Sequence, residues 1–174
     1  MRILKNRLAL STVVTTLIIL VVSVLLAGVV TYFAINVVST RVQQESLQIS
    51  YAHVWVDAAG ASQAAILVKN TGGRDVVINA VQIRGIAATF GTNVYTAVAA
   101  TDPAAENAAG IAALTPTTAQ PITLASGSAI QIYITDPTSV SINDIGTTIG
   151  ITVFTASAMY YQETNVQATA VTVP

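Results

Sequence analysis

Uncharged apolar residues dominate the first quarter of the chain. No charged side chain occurs between Arg7 and Arg41, and the residues between them are mostly Leu, Ile, Val, Ala and Thr. At about 1.5 Å of rise per residue, a helix through this stretch is longer than the roughly 30 Å hydrocarbon core of a bilayer. The first proline is Pro103, so nothing before it forces a break. The pattern predicts one long hydrophobic helix from about Leu10 to about Ser50.

A period-two pattern replaces the helical one after this point. The run Ile49–Val56 mixes β-branched and aromatic residues at nearly alternating positions, which predicts a strand. Similar runs predict further strands at 64–69, 76–83, 93–98, 129–135, 148–155 and 166–173. The glycines between Asn70 and Asp75 predict a hairpin that joins the second and third strands. The Ala, Thr and Pro stretch from Ala99 to Pro121 predicts an exposed loop.

These elements define the expected fold class. They predict an α+β protein in which a long N-terminal hydrophobic α-helix is followed by an antiparallel β-sandwich of immunoglobulin-like type. The part after the helix has about 120 residues, which is enough for one domain with a single core. No second globular domain is expected.

The basic residues at the start of the chain indicate membrane orientation. Arg2, Lys5 and Arg7 precede the apolar run, and positive charge is retained on the cytoplasmic side of a membrane. The rest of the chain is then expected outside. A cleaved secretory signal has a core of only about 7 to 15 apolar residues, which this run greatly exceeds. Taken without a family, the sequence favours a signal anchor that remains as a single span.

Small side chains recur along one side of the predicted helix. At about 100° per residue they form a narrow stripe, and small residues allow membrane helices to approach closely. We therefore predict a helix-packing stripe. The alternative is that the hydroxyls bond back to carbonyls of their own helix. The residues of the stripe are Thr12, Thr16, Ser23, Ala27 and Ala34.

Composition removes most catalytic and metal chemistries. The chain contains no cysteine, so disulfides, thiolate nucleophiles and zinc–cysteine sites are excluded. A net charge of −1 gives no basic footprint for nucleic acid. The segment Gly60–Ala64 lacks the second glycine of a nucleophile elbow, and no phosphate-binding glycine loop is present. We expect neither an enzyme nor a cofactor.

The remaining candidate residues are expected to be structural. His53 is the only histidine and has no obvious partner in the sequence, so packing is favoured over a ligand or general-base role. Asp136, Asn143 and Asp144 do not match the spacing of a calcium loop and are expected to form turns. The aromatic residues of the predicted strands are expected in the core, with an exposed aromatic patch as the alternative. They include Tyr51, Trp55, Tyr95, Tyr160 and Tyr161.

The start of the apolar run carries a family resemblance. The stretch from Ala9 to Val22, ALSTVVTTLIILVV, resembles the beginning of archaeal type IV pilins, whose mature chains often open with Leu-Ser. The strand followed by Asn70-Thr71-Gly72 is similar to the β-rich outer domains of archaeal pilins and archaellins. The helical part of the resemblance covers the first quarter of the chain.

The resemblance implies processing at the cytoplasmic end of the helix. A prepilin peptidase is then expected to cut between Ala9 and Leu10, with Arg7 as the basic residue upstream. Leu8 stands where the family usually has a basic residue, so a cut after Arg7 is the alternative. The implied segments are a leader peptide at 1–9, an assembly helix at 10–50 and an extracellular β-sandwich domain at 51–174.

The resemblance also implies a function. The chain is expected to be a structural subunit of an extracellular, helical type IV pilus-like filament used in adhesion. Its expected partners are copies of itself, packed through the N-terminal helices, together with the peptidase and the pilus assembly machinery. Before assembly it is expected in the cytoplasmic membrane. Two alternatives stay open: an archaellin of a motility filament, and a membrane-anchored extracellular binding module.

Overall fold

The computed structural model describes residues 3–42, 44–117 and 121–171. The chain divides into two compact units, Met1–Val42 and Gln43–Pro174. The first unit is one α-helix, α1, over Ile3–Val42. Between Leu10 and Thr40 its side chains are exposed throughout, including the large apolar ones. Within the described residues this is one helix long and apolar enough to cross a membrane, as the sequence predicts.

The helix ends earlier than predicted. It stops at Val42 rather than near Ser50, and the first strand already begins at Leu47. The physical reason is tertiary: the Leu47 side chain is buried in the core of the second unit. The carbonyl of Ser46 also accepts hydrogen bonds from the N–H groups of Thr71 and Gly72, at 2.9 and 3.0 Å, which a continuing helix would not permit.

The second unit is built on one curled, mostly antiparallel β-sheet. The order of hydrogen-bonded neighbours in the described part of the chain is β4-β3-β9-β10-β1-β2-β8-β5-β6. In addition, β7 pairs with β3. Among the described strands, β1 and β10 alone pair in parallel. The strands are β1 Leu47–Val56, β2 Ser62–Asn70, β3 Val76–Ile83, β4 Ile86–Ala87, β5 Val94–Ala97, β6 Thr115–Pro116, β7 Ile122–Leu124, β8 Ala129–Thr135, β9 Thr148–Thr155 and β10 Met159–Ala168.

The main core forms from alternate positions on strands of both ends of the sheet. Val54 of β1, Ile66 of β2 and Ile132 of β8 share one apolar cluster with Ile78 of β3 and Ile151 of β9. All five are essentially inaccessible to solvent. Burial of each such side chain contributes roughly 1.5 to 3 kcal/mol relative to exposure, so this cluster is the main source of stability in the domain. The opposite face of β1, β2, β8 and β5 carries a second, smaller apolar cluster.

Strand pairing differs from the sequence prediction in two places. β2 and β3 do not pair across the segment from Asn70 to Asp75, so the predicted hairpin is wrong: β2 lies between β1 and β8, while β3 pairs with β9, β4 and β7. The last strand, β10, runs over Met159–Ala168 rather than 166–173. It leaves β9 after Asn165 and pairs with β1 from Val166.

The fold class is confirmed at the level of an α+β protein with an apolar N-terminal helix and a mostly antiparallel sheet. An immunoglobulin-like sandwich is not confirmed. The reason lies in β10, which pairs with β9 in its first part and with β1 in its second, so that the strands form one continuous path. The predicted loop between Ala99 and Pro121 also contains a short helix, α2, over Ala108–Ala113.

Candidate functional site

The candidate site lies on the outer face of β1, β2, β8 and β5, opposite the main core. Strand alternation sets the composition of this face, because Val54 and Val56 point into the core and Trp55 points away from it. In register across the strands, His53 lies opposite Ala65, and Ala65 lies opposite Tyr133. The outer face therefore carries a row of aromatic and imidazole groups.

A covering segment, residues 98–114, lies over this face, and we call it the strap. It includes α2, whose first turn is capped by the Asn107 carboxamide oxygen, an acceptor for the Gly110 N–H at 2.9 Å. Ile111 of α2 is fully buried and packs in one cluster with Trp55 and Tyr133. The start of the strap is open to solvent, since Val98 is 95% exposed.

Outward-pointing side chains of the sheet hold the strap. The two side chains that bond its backbone are Gln63 of β2 and Gln131 of β8. The Gln63 carboxamide accepts from the Glu106 N–H at 2.9 Å and donates to the Glu106 carbonyl at 3.4 Å. The Gln131 carboxamide donates to the Thr101 carbonyl at 2.8 Å. Glutamines inside apolar strands thus replace the backbone pairing that an irregular segment lacks.

The third contact joins the two side chains of His53 and Asp102. His53 Nε2 lies 2.9 Å from the Asp102 carboxylate, with the His53 side chain 24% exposed and that of Asp102 56% exposed. The imidazole also stacks on the Trp55 indole, with ring centroids 5.2 Å apart and an angle of 12° between the planes. Its other nitrogen, Nδ1, is buried and has no hydrogen-bond partner among the described residues.

Tyr133 shows how enclosed this region is. Burial raises the pKa of the Tyr133 phenol, and the negative charges of Glu106 and Asp102 raise it further, against a hydrogen bond from the Ala104 backbone that lowers it. The phenol is therefore a neutral group under ordinary conditions. Taken together, the face beneath the strap carries aromatic surface, two carboxamides and an imidazole, which are the kinds of groups that line binding sites for organic ligands.

The predicted site residues fall in different places. Arg7, Ala9 and Leu10 lie within α1, which runs without interruption past both possible cleavage positions, so processing stays a prediction. The five stripe residues are exposed on α1. The Thr16 and Ser23 hydroxyls donate to the carbonyls of Val13 and Ile19, which is the alternative that the sequence left open. Helix packing through the stripe is untested.

The other candidate residues lie in a turn and on the strands, and the aromatic residues divide into two groups. The carboxylate of Asp144 accepts from the backbone and hydroxyl of Ser141, as expected of a turn, and no group of three or more metal-binding side chains occurs in the described part of the chain. Trp55 is buried as expected, but Tyr51 and Tyr161 are exposed. The core prediction is therefore wrong for those two tyrosines.

Sequence reasoning missed the contacts between the strap and the sheet. Asp102 and Glu106 lie in the stretch expected to be an exposed loop, and nothing in its composition identifies their partners. The available signal was on the strands: Gln63 and Gln131 are polar residues inside apolar runs, where an unpaired carboxamide is costly. Such residues indicate that another segment covers the sheet.

Comparison with known proteins gives matches to solved structures only. No protein-family model matches the chain, and no curated protein matches it. Among solved structures, the apo PmoF2 PCuAC domain matches with a TM-score of 0.46 and 15% identity, covering 72% of this chain and 95% of that domain. A likeness at this level carries no argument about what this chain does.

The predicted membership in the archaeal type IV pilins is corrected by these findings. The comparisons supply no support for a pilin: no family model and no curated protein matches, and the structural match described above is to a PCuAC domain. The pilin assignment is therefore wrong, together with the pilus filament, the adhesive role and the archaellin alternative drawn from it. The stretch from Ala9 to Val22 misled because helices rich in Val, Ile and Leu are common to membrane spans of every kind.

Proposed function

We propose that this chain is a membrane-anchored binding domain, in which α1 remains in the membrane and the β domain lies on the extracytoplasmic side. The observation that carries the proposal is the helix between Leu10 and Thr40, which is charge-free and has its large apolar side chains exposed. Apolar surface of this extent is unfavourable in water by roughly 25 cal/mol per Å², and a bilayer removes that cost.

The orientation follows from charge. Arg2, Lys5 and Arg7 precede the span, and positive residues beside a first span stay on the cytoplasmic side. The β domain supports display outside the membrane because its own side chains complete its core: both apolar clusters consist of residues from Leu47 to Val171. A binding role is supported by the outer face, where aromatic and carboxamide groups are gathered beneath the strap.

Single-cysteine labelling tests the topology directly, because the natural chain has no cysteine to remove. We expect Val98→Cys to react with a membrane-impermeant maleimide in intact cells, since Val98 is 95% exposed in the β domain. Asn6→Cys, on the other side of the span, is the matched control and is expected to react only after the membrane is permeabilised. Labelling of Asn6→Cys but not Val98→Cys in intact cells would contradict the proposal.

Charge insertion tests the anchor itself. Replacing Leu20 and Val24 by arginine places two charges near the middle of the span, each costing about 2.5 to 3.5 kcal/mol on insertion scales. We expect this variant to leave the carbonate-resistant membrane fraction, while a control with Leu20→Val and Val24→Leu stays in it. Release of the unmodified protein by carbonate would contradict a retained span.

A further inference from the structure

We propose that the β domain pairs with a second copy of itself through the free edge of β10, by which we mean the side of residues 159–165 that faces away from β9. The two copies of β10 run antiparallel in this pair, with Gln162 at its centre. The proposal concerns the β domain alone and goes beyond the function proposed above, since it holds whether or not α1 spans a membrane.

The free edge exists because β1 and β10 separate. The two strands pair in parallel only in their second halves. In the first half of β1 a bulge at Tyr51, where φ is 52°, shifts the register of the strand. The Ala52 carbonyl accepts from the Thr164 hydroxyl at 2.6 Å rather than from a backbone N–H. Within the described structure, the backbone of residues 159–165 therefore pairs on one side only, with β9.

Hydrogen bonds of the neighbouring strands show which backbone groups point to this edge. The Gly150 carbonyl of β9 accepts from the Arg84 N–H at 2.9 Å, on the β3 side of β9. Both backbone groups of a residue in an antiparallel strand point to the same side, so the groups of Glu163, which lies opposite Gly150, point away from β9. Directions alternate along a strand. The N–H and C=O groups of Tyr161 and Glu163 thus lie on the free edge, while those of Gln162 bond to β9.

These outward groups are accessible to a partner. Tyr161 is 58% exposed, and Gln162 and Glu163 are exposed as well, although their side chains lie on opposite faces of the strand. Within the described residues, the Glu163 carbonyl accepts from the adjacent Gln162 carboxamide at 3.2 Å. A backbone N–H of a partner strand can replace this local contact.

The free edge lacks the features by which proteins prevent strand addition, which are lysine, proline, bulges and very short strands. Residues 159–165 contain neither lysine nor proline, and they pair with β9 in one continuous register. Other described edges are protected: β4 and β6 have two residues each, β6 contains Pro116, and β1 has the bulge at Tyr51. The first part of β10 is therefore the described edge best suited to accept a strand.

The charge pattern selects a second copy in one register. Glu163 is the one charged residue in 159–165. When Gln162 lies opposite Gln162 of the second copy, each Glu163 lies opposite the other copy's Tyr161, and these two residues exchange both backbone hydrogen bonds. The Tyr161 hydroxyl already donates to the Glu163 carboxylate at 3.0 Å within one chain, so the groups are compatible. A pair centred on Glu163 instead places two carboxylates against each other, which is unfavourable.

Disulfide trapping tests the contact, because the natural chain has no cysteine. Gln162 forms the central, non-hydrogen-bonded pair, in which the Cα atoms are about 4.5 Å apart and within reach of a disulfide. The matched control is Asn165→Cys, exposed on the same strand, whose two copies are about 20 Å apart in this register. The full chain in detergent is oxidised with diamide, and dimers are measured by non-reducing electrophoresis. We expect Gln162→Cys to cross-link about tenfold faster than Asn165→Cys, after correction for the reactivity of each thiol with a maleimide.

Glu163→Pro in the Gln162→Cys chain tests whether the edge itself is responsible. The Glu163 N–H points away from β9, so proline blocks strand addition and leaves the bonds to β9 in place. We expect cross-linking to fall to the rate of Asn165→Cys while the circular dichroism spectrum is unchanged. Equal rates for Gln162→Cys and Asn165→Cys would overturn the proposal, and so would cross-linking that persists with Glu163→Pro. If Glu163→Pro does not fold, the comparison of the two cysteine variants decides alone.

Discussion

The side-chain amide of Asn70 donates a hydrogen bond to the carbonyl of Leu124 at 3.1 Å, across 54 positions of sequence. The same carboxamide donates to the Arg74 carbonyl at 2.8 Å and accepts from the Gly72 N–H at 2.9 Å. Asn70 itself is fully buried. One side chain therefore satisfies three backbone groups where β2, β7 and the segment after β2 meet.

Removal of this carboxamide is expected to be costly. In Asn70→Ala three backbone groups lose a partner, and we expect the free energy of unfolding to fall by about 2 to 4 kcal/mol. Denaturant titration of the purified chain measures the loss. Asn79→Ala, on the exposed side of β3, is the control and is expected to change stability by less than about 0.5 kcal/mol. Equal effects of the two substitutions would show that the Asn70 contacts contribute little.

Gly72 is required for space. A Cβ atom at this position would lie 2.7 Å from both the Gln44 carbonyl oxygen and the Ser46 nitrogen, which are backbone atoms. We expect Gly72→Ala to lower the free energy of unfolding by about 1 to 3 kcal/mol, because backbone must move. The three atoms nearest to a Cβ at Gly150 all belong to the exposed ring of Tyr161, which can rotate away, so a smaller loss is expected for Gly150→Ala. Thermal unfolding of the two variants compares them, and a larger loss in Gly150→Ala would contradict this reading.

The hydroxyl of Ser62 is a group whose removal is expected to stabilise the domain rather than destabilise it. It is buried in β2 and has no hydrogen-bond partner among the described residues. Ser62→Ala removes this unsatisfied group with little change of shape, and we expect it to stabilise the domain by about 1 kcal/mol. A rise in Tm of a few degrees in calorimetry would be the observed effect. Ser128→Ala, at an exposed position, should leave Tm unchanged, and destabilisation by Ser62→Ala would contradict the prediction.

The turn at Asp144 makes stability depend on pH at the acid end. The pKa of Asp144 is lowered, first by the hydrogen bond from the Ser141 hydroxyl, then by the Ser141 N–H and by the Arg84 guanidinium. A folded-state pKa below the unfolded value of about 3.8 means that the stabilisation is present above that pH and is lost as pH falls through the folded pKa.

Asp144→Asn tests this dependence. We expect the variant to be less stable than the natural chain at pH 7, and the difference to shrink below about pH 4, where the natural carboxylate takes up its proton. Ser141→Ala should reproduce part of the effect because its hydroxyl is the largest cause of the shift. Denaturant unfolding at pH 7, 5 and 3 measures both effects. If Asp144→Asn lowers the free energy of unfolding by the same amount at all three pH values, the Asp144 carboxylate is not the source of the pH dependence.

The family resemblance shows where local pattern stops being informative. An apolar helix that opens with Leu10 and Ser11 satisfies the requirements of any membrane span. Its sequence therefore predicts that apolar groups surround the helix, but it does not identify which molecules pack against it. The prediction of a membrane-length helix was confirmed, while the pilin assignment built on the same residues was wrong.

The sequence by itself determined the apolar helix, the positions of most long strands and their inward faces, because these follow from the period of apolar residues along the chain. It did not determine that the helix ends at Val42, that β2 avoids β3, or that β10 moves from β9 to β1. Only the tertiary structure brought His53 to Asp102 and Gln63 to Glu106. Such contacts depend on which distant backbone groups need a partner once the strands have paired, and no local pattern encodes that requirement.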